Sequence, residues 1–190
     1  MSATENGLTT TTRARPGAPL YTPEQRRRRD ATPWTLVQGI LAPVQFLVFL
    51  ISLILVLRAL FTGAGVFAAS VSVVVKTLVL YTIMVTGAIW EKRVFDRYLF
   101  APAFYWEDVF SMLVIALHTA YLGALFTGWL DARGQLLLAL AAYSTYVINA
   151  TQFILKLRAA RLDEERRRAE LAGGAGELPG MNPALQGAAR

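Results

Sequence analysis

Cysteine is absent from the 190-residue chain, and histidine occurs once, at position 118. The first absence excludes disulfides, thiolate metal sites, iron–sulfur clusters and cysteine nucleophiles. The second excludes a multi-histidine metal centre built by this chain alone. No phosphate-cradling loop is present: "GGAGELPG" near the C-terminus has the wrong spacing for a dinucleotide fingerprint, and no strand pattern precedes it. Charge is scarce as well, at 17% of residues against 55% hydrophobic, and the mean hydropathy is +0.42. Those values exceed what a soluble domain carries.

The apolar residues fall in blocks rather than at amphipathic spacing. Residues 34–57 and 109–130 contain no Asp, Glu, Lys or Arg, nor do 135–155, and residues 70–90 contain Lys76 alone. A helix rising ~1.5 Å per residue needs about 20 such residues to cross the hydrocarbon core. Lipid offers no partner for backbone polar groups, so the segments must be helices. The expected fold is therefore an all-α integral membrane protein with four transmembrane helices. The first block is too long for a signal peptide, follows some thirty polar residues and lacks a small-residue cleavage site, so it reads as a retained span.

The net charge of +6 is distributed by side. Of 19 Lys and Arg, 16 lie in the N-terminal tail, the 91–108 segment and the C-terminal tail; only Arg58 and Arg133 fall in the other two connections. The positive-inside rule then puts both termini in the cytoplasm. Three regions are expected. They are a disordered Thr-, Ala- and Pro-rich tail over 1–20, a four-helix membrane domain over 21–161, and a tail over 162–190 that is first charged, then Gly/Pro-rich. Within the domain, "YTPEQRRRRDATPW" forms a basic collar suited to anionic headgroups, ending at an interfacial Trp34. Pro43 offers a kink in the first span. The residues after Leu155 are expected to prolong the fourth helix into water. The central segment "EKRVFDRYLFAPAFYWED" mixes seven charged residues with six rings, and Trp90 precedes it, a composition that binds a partner or lies in the interface.

Polar residues inside the blocks carry the chemistry, because lipid makes each expensive to keep. At 100° per residue, Glu107, Ser111, Val114, His118, Tyr121 and Leu125 fall within about 40° of one line, a face that must point into the bundle. Asp108, 100° away, is expected to be solvated at the loop. Gln38, Gln45 and Ser52 form a stripe in the first span. Lys76, Leu80, Ile83, Gly87, Trp90 and Glu91 form one in the second, and Tyr143, Tyr146, Asn149 and Gln152 one in the fourth. Plain readings exist for several. Gln38, Gln45 and Ser52 need only bridge helices. Lys76 can snorkel to the outer interface. Glu91 can pair with Lys92 and Arg93, and His118 can hydrogen-bond Tyr146 or Asn149.

In "YTPEQRRRRDATPWTLVQGILAPVQFLVFL", "VKTLVLYTIMVTGAIWEK", "LFAPAFYWEDVFSMLVIALHTAYL" and "YVINATQFILKLR" the chain closely resembles the 3-vinyl bacteriochlorophyllide hydratases of phototrophic bacteria, from about Tyr21 to Arg161. The resemblance implies water addition to the ring-A vinyl group of chlorophyllide a or a 3-vinyl bacteriochlorophyllide, giving a 1-hydroxyethyl group. It implies no cofactor, a bacterial inner membrane (cytoplasmic or intracytoplasmic), and possible docking of neighbouring pathway enzymes. Such chemistry needs a general acid, a positioned water with a base, and stabilisation of a cation. The candidate catalytic residues are Glu107 as acid, with Glu91 or Asp108 orienting water. Candidate substrate contacts are His118, also a possible axial ligand to the substrate magnesium, with Tyr121, Tyr146, Asn149 and Trp106. Rival readings are a non-enzymatic pigment carrier or assembly factor, for which the acids would be dispensable, and a small ion transporter using Lys76, Glu91 and His118. The lack of any repeat or broken helix pair argues against the transporter.

Overall fold

The computed structural model describes residues 20–174, so the disorder expected of residues 1–19 and the looseness expected of 175–190 lie outside the described residues. Five helices follow in order: α1 (Pro23–Ala31), α2 (Pro33–Thr62), α3 (Val66–Phe95), α4 (Tyr105–Thr127) and α5 (Ala132–Gly174). Among the described residues every regular element is helical, and α2 to α5 each contain a stretch long and apolar enough to cross a membrane. The helices overrun most of the expected spans because the residues flanking each run continue the helical hydrogen bonding. Helix α4 instead begins at Tyr105 and stops at Thr127, where Gly128 takes a left-handed conformation (φ 68°) and returns its N–H to Ala124. Gly63 ends α2 in the same way, and Gly65 opens α3, so a three-residue link reverses the chain where a side chain would be strained. Pro43 is accommodated within α2, which continues past it.

Helix α1 is an element that the charge pattern concealed. Thr22 and Gln25 form a reciprocal capping box, and Pro23 occupies the first turn, where its missing N–H costs nothing. Arg28 ties α1 to the end of α3 through Asp96, at 2.5 Å. That hydrogen bond raises the guanidinium and holds the Asp96 carboxyl below the usual range. Ahead of the helix, Tyr21 is buried; burial pushes its phenol up, opposed by Arg29, whose guanidinium lies 4.9 Å from the ring centre.

Three aromatic rings that the sequence places at the central loop pack together, and Tyr21 of the basic collar joins them. Phe95, Phe104 and Trp90 meet edge to face at 5.8 Å, and Tyr21 stacks on Phe95. Trp90 also donates to Thr35, whose hydroxyl donates to the Arg29 carbonyl. Tyr98, Phe100, Tyr105 and Trp106 are the rings left exposed.

The chain divides after Asn149 into two units. In the first, the buried stripes repeat at alternating steps of three and four: Gln45, Phe49, Ser52, Val56 and Ala59 in α2, Ala69, Val73, Lys76 and Leu80 in α3, and Leu136, Ala139, Tyr143 and Tyr146 in α5. Leu36, Ile40, Leu47, Ile54, Val85 and Phe126 stay exposed, an apolar exterior that fits lipid. Polar bridges set the register: Gln38 to Thr86 at 2.8 Å, Ser52 to Ser72 at 2.7 Å, Tyr81 to Thr119 at 2.7 Å and Asn149 to Ser111 at 2.9 Å. The second unit, within the described residues, is the remainder of α5, mostly exposed and carrying an Arg168–Glu164 pair one turn apart. It continues the helix as expected beyond Leu155.

Candidate functional site

Three carboxyl groups are buried where α3 ends and α4 begins. Glu91 and Glu107 are each 6% exposed and Asp108 is 3% exposed. The expectation that Asp108 is solvated is wrong. The loop between α3 and α4 folds back over it, so the direction 100° from Glu107 faces protein rather than water. Asp108 Oδ2 accepts the Phe100 N–H at 2.7 Å, and Glu91 Oε2 accepts the Ala101 N–H at 3.4 Å. Phe100 stands at φ 58°, a left-handed conformation where its own N–H meets Asp108 and the next N–H meets Glu91. The Glu91 carboxyl lies beside that of Asp108, and neither Lys92 nor Arg93 acts on it as the salt bridge considered for it would require.

The expected inward face of α4 is formed by Glu107, Ser111, Val114, His118 and Tyr121, all buried, though it ends on Ala124 rather than Leu125. Asn149 of α5 reaches Ser111, leaving its own Oδ1 without a hydrogen-bond partner among the described residues. His118 is fully buried and bonds neither Tyr146 nor Asn149. Its Nδ1 lies 2.8 Å from the Val114 carbonyl, which only accepts, so Nδ1 carries the proton and Nε2 keeps its lone pair. Nε2 has no partner among the described residues.

Two residues depart from their plain readings. Lys76 does not snorkel outward. It is fully buried, its Nζ 4.0 Å from the ring centre of Tyr146 and 5.9 Å from that of Tyr143. Gln45 bridges nothing: it is 2% exposed, with neither amide atom partnered among the described residues. Gln38 and Ser52 do bridge helices, Ser52 also reaching Tyr143 at 2.5 Å. The spacing that puts Lys76 on the buried stripe of α3 was legible, since Val73 and Leu80 flank it at steps of three and four. Trp106 is not brought to this face; it is 67% exposed and lies against Tyr105. No cluster of three metal-ligating side chains occurs among the described residues.

These features define a multi-pass helical membrane protein with an apolar exterior, carboxyl groups at one end of its interior, and an imidazole with an available lone pair deeper in. Residues 21–159 match the 2-vinyl bacteriochlorophyllide hydratase (BCHF) family, and the chain belongs to it. A protein of Rhodobacter capsulatus named 2-vinyl bacteriochlorophyllide hydratase is 72% identical over 143 residues, covering 75% of this chain and 83% of its own. A protein of the same name from Cereibacter sphaeroides is 70% identical over 156 residues, covering 82% of this chain and 96% of its own. No solved structure matches the chain.

Proposed function

We propose that this protein hydrates the ring-A vinyl group of a chlorophyllide, numbered 2 in its relatives' names and 3 in the numbering used above. The observation that carries the reading is the match across α1 to α4 and the whole apolar block of α5, with relatives of that one name at 70% identity and above. The substrate is chlorophyllide a or its reduced 3-vinyl counterpart. The chain sits in the bacterial inner membrane with both termini cytoplasmic, residues 21–161 forming the working domain between two tails.

The chemistry assigns the buried carboxyls. Glu107 delivers a proton to the terminal vinyl carbon, breaking the π bond and forming a C–H bond. The cation left on the inner carbon is conjugated with the macrocycle. Water adds there, and its surplus proton passes to the Glu91–Asp108 pair, which orients it; return of one proton to Glu107 completes the cycle without a redox step. The nearby anionic carboxylates favour the cation. His118 Nε2 is available to the magnesium of the substrate, while Tyr121, Tyr146 and Asn149 line the face on which the macrocycle rests. Trp106, exposed beside the loop, contacts substrate on its way in.

The test is to express the chain in a non-phototrophic host and incubate its membranes with chlorophyllide a. A product heavier by one water, with its red absorption band moved to shorter wavelength, is expected. Pigment that stays bound and unchanged, with both chlorophyllide a and the reduced 3-vinyl form, would establish a carrier instead.

A further inference from the structure

Lys76 is the costliest residue in the bundle that the hydration step leaves unused. An ammonium held out of water requires a compensating charge or a full set of hydrogen bonds. The Lys76 side chain is fully buried, and its Nζ has no hydrogen-bond partner among the described residues. The Tyr146 and Tyr143 rings supply cation–π contacts, which leave the N–H donors unspent. The buried carboxyls do not supply the charge. Glu91 lies fifteen residues further along α3, ~22 Å at 1.5 Å per residue, and it is engaged by Asp108 and the Ala101 N–H.

Two more unpartnered groups belong to the same neighbourhood. The Tyr143 ring centre is 5.9 Å from Lys76 Nζ and 5.9 Å from the His118 ring. Phe49 packs on both Tyr143 and Tyr146, and Gln45 lies one turn before Phe49 on the same buried stripe. A lysine amine and an imidazole nitrogen with a lone pair thus flank the Tyr143 ring, and Gln45, an amide with a spare donor, stands one turn from the Phe49 ring packed on it. Each group is expensive to bury unless a ligand meets it. Their chemistries together describe a flat apolar metal macrocycle that bears a carboxylate.

We propose that Lys76, assisted by Gln45, binds the free carboxylate of the tetrapyrrole and selects the free acid over its ester. The identity of the ligand rests on the hydratase reading. The charge layout also sets direction. Glu91, Glu107 and Asp108 repel a substrate carboxylate from their end, and Lys76 attracts it to the other, so the carboxylate-bearing edge turns away from the acids. An ester is neutral and leaves the ammonium unpaired, which is how a buried polar site rejects an analogue.

The experiment compares chlorophyllide a with its methyl ester, measuring turnover in membranes and, separately, binding by quenching of pigment fluorescence. Wild-type protein is expected to bind the acid about 10- to 100-fold more tightly than the ester, the worth of one charge-assisted hydrogen bond. Lys76→Met should raise KM for the acid to the ester's value, with kcat and the ester's KM little changed, and Lys76→Arg should keep part of the preference. Should Lys76→Met fail to accumulate, Lys76→Gln, neutral but hydrogen-bonding, carries the same expectation. Equal binding of acid and ester by the wild type overturns the proposal, as does an equal loss for both in the Lys76 variants. If the wild type hydrates neither pigment, the hydratase reading falls, and the binding comparison still decides the role of Lys76.

Discussion

Glu107 and Asp108 are adjacent in α4, and the helix sends them to different neighbours. Glu107 shares the face of Ser111 and His118, whereas Asp108 accepts the Phe100 N–H beside Glu91. Their amide variants therefore separate chemistry from scaffolding. Glu107→Gln keeps size and hydrogen bonding but has no proton to give, so kcat should fall ~10²- to 10⁴-fold with KM little altered; near-normal turnover would remove Glu107 from the mechanism. Asp108→Asn retains an acceptor for the Phe100 N–H. The loop should stay as resistant to protease as in the wild type while turnover drops, and unchanged turnover would leave Asp108 a purely structural clamp. His118 is tested by its ligand. His118→Leu should weaken binding of magnesium chlorophyllide and leave the magnesium-free pigment unaffected, a contrast that absorption titration reads directly; equal loss for both pigments would make the imidazole a packing residue. The inward placement of Glu107 and His118 was legible because helical period and the cost of polarity in lipid give one answer there. Asp108 was not, since its burial depends on how a loop with a left-handed Phe100 folds back, and no helical period encodes that.

At the scale of elements, the four long helices are legible because an apolar run of about 20 residues with at most one charge has one stable structure in lipid. Helix α1 was hidden by its own arginines, although "TPEQ" is a capping-box signature standing directly before them. Part of its attachment is electrostatic and should depend on pH. Arg28 depresses the Asp96 carboxyl, so the tie between α1 and α3 contributes fully above the ordinary carboxyl pKa, about 4, and is lost as pH falls through the lower folded value. Its contribution is small, since both side chains are substantially exposed. Trp90 reports the region, being packed on Phe95 and Phe104 and bonded to Thr35. Acidification below about pH 4 should shift its emission in the wild type, and Asp96→Asn should show the shifted emission already at neutral pH. A variant indistinguishable from wild type across the range would show that α1 is held by its ring contacts instead.

For the whole molecule, orientation is the property on which the substrate's route depends. The basic residues collect in α1, at the end of α3 and in the later part of α5, while the links at 63–65 and 128–131 carry no Lys or Arg. If both termini are cytoplasmic, as proposed, the carboxyl cluster lies on that side too, near the exposed Tyr98, Tyr105 and Trp106 of the same segment. A pigment delivered from the cytoplasm would then meet the acids first and Lys76 last. Because the chain has no cysteine, single substitutions report sidedness without background. Ala64→Cys and Trp129→Cys should react with a membrane-impermeant maleimide in cells whose outer membrane alone has been opened. Tyr98→Cys should react only after the inner membrane is broken. The reverse pattern would invert the chain, open the carboxyl end to the periplasm, and require the macrocycle to enter from the side away from its synthesis.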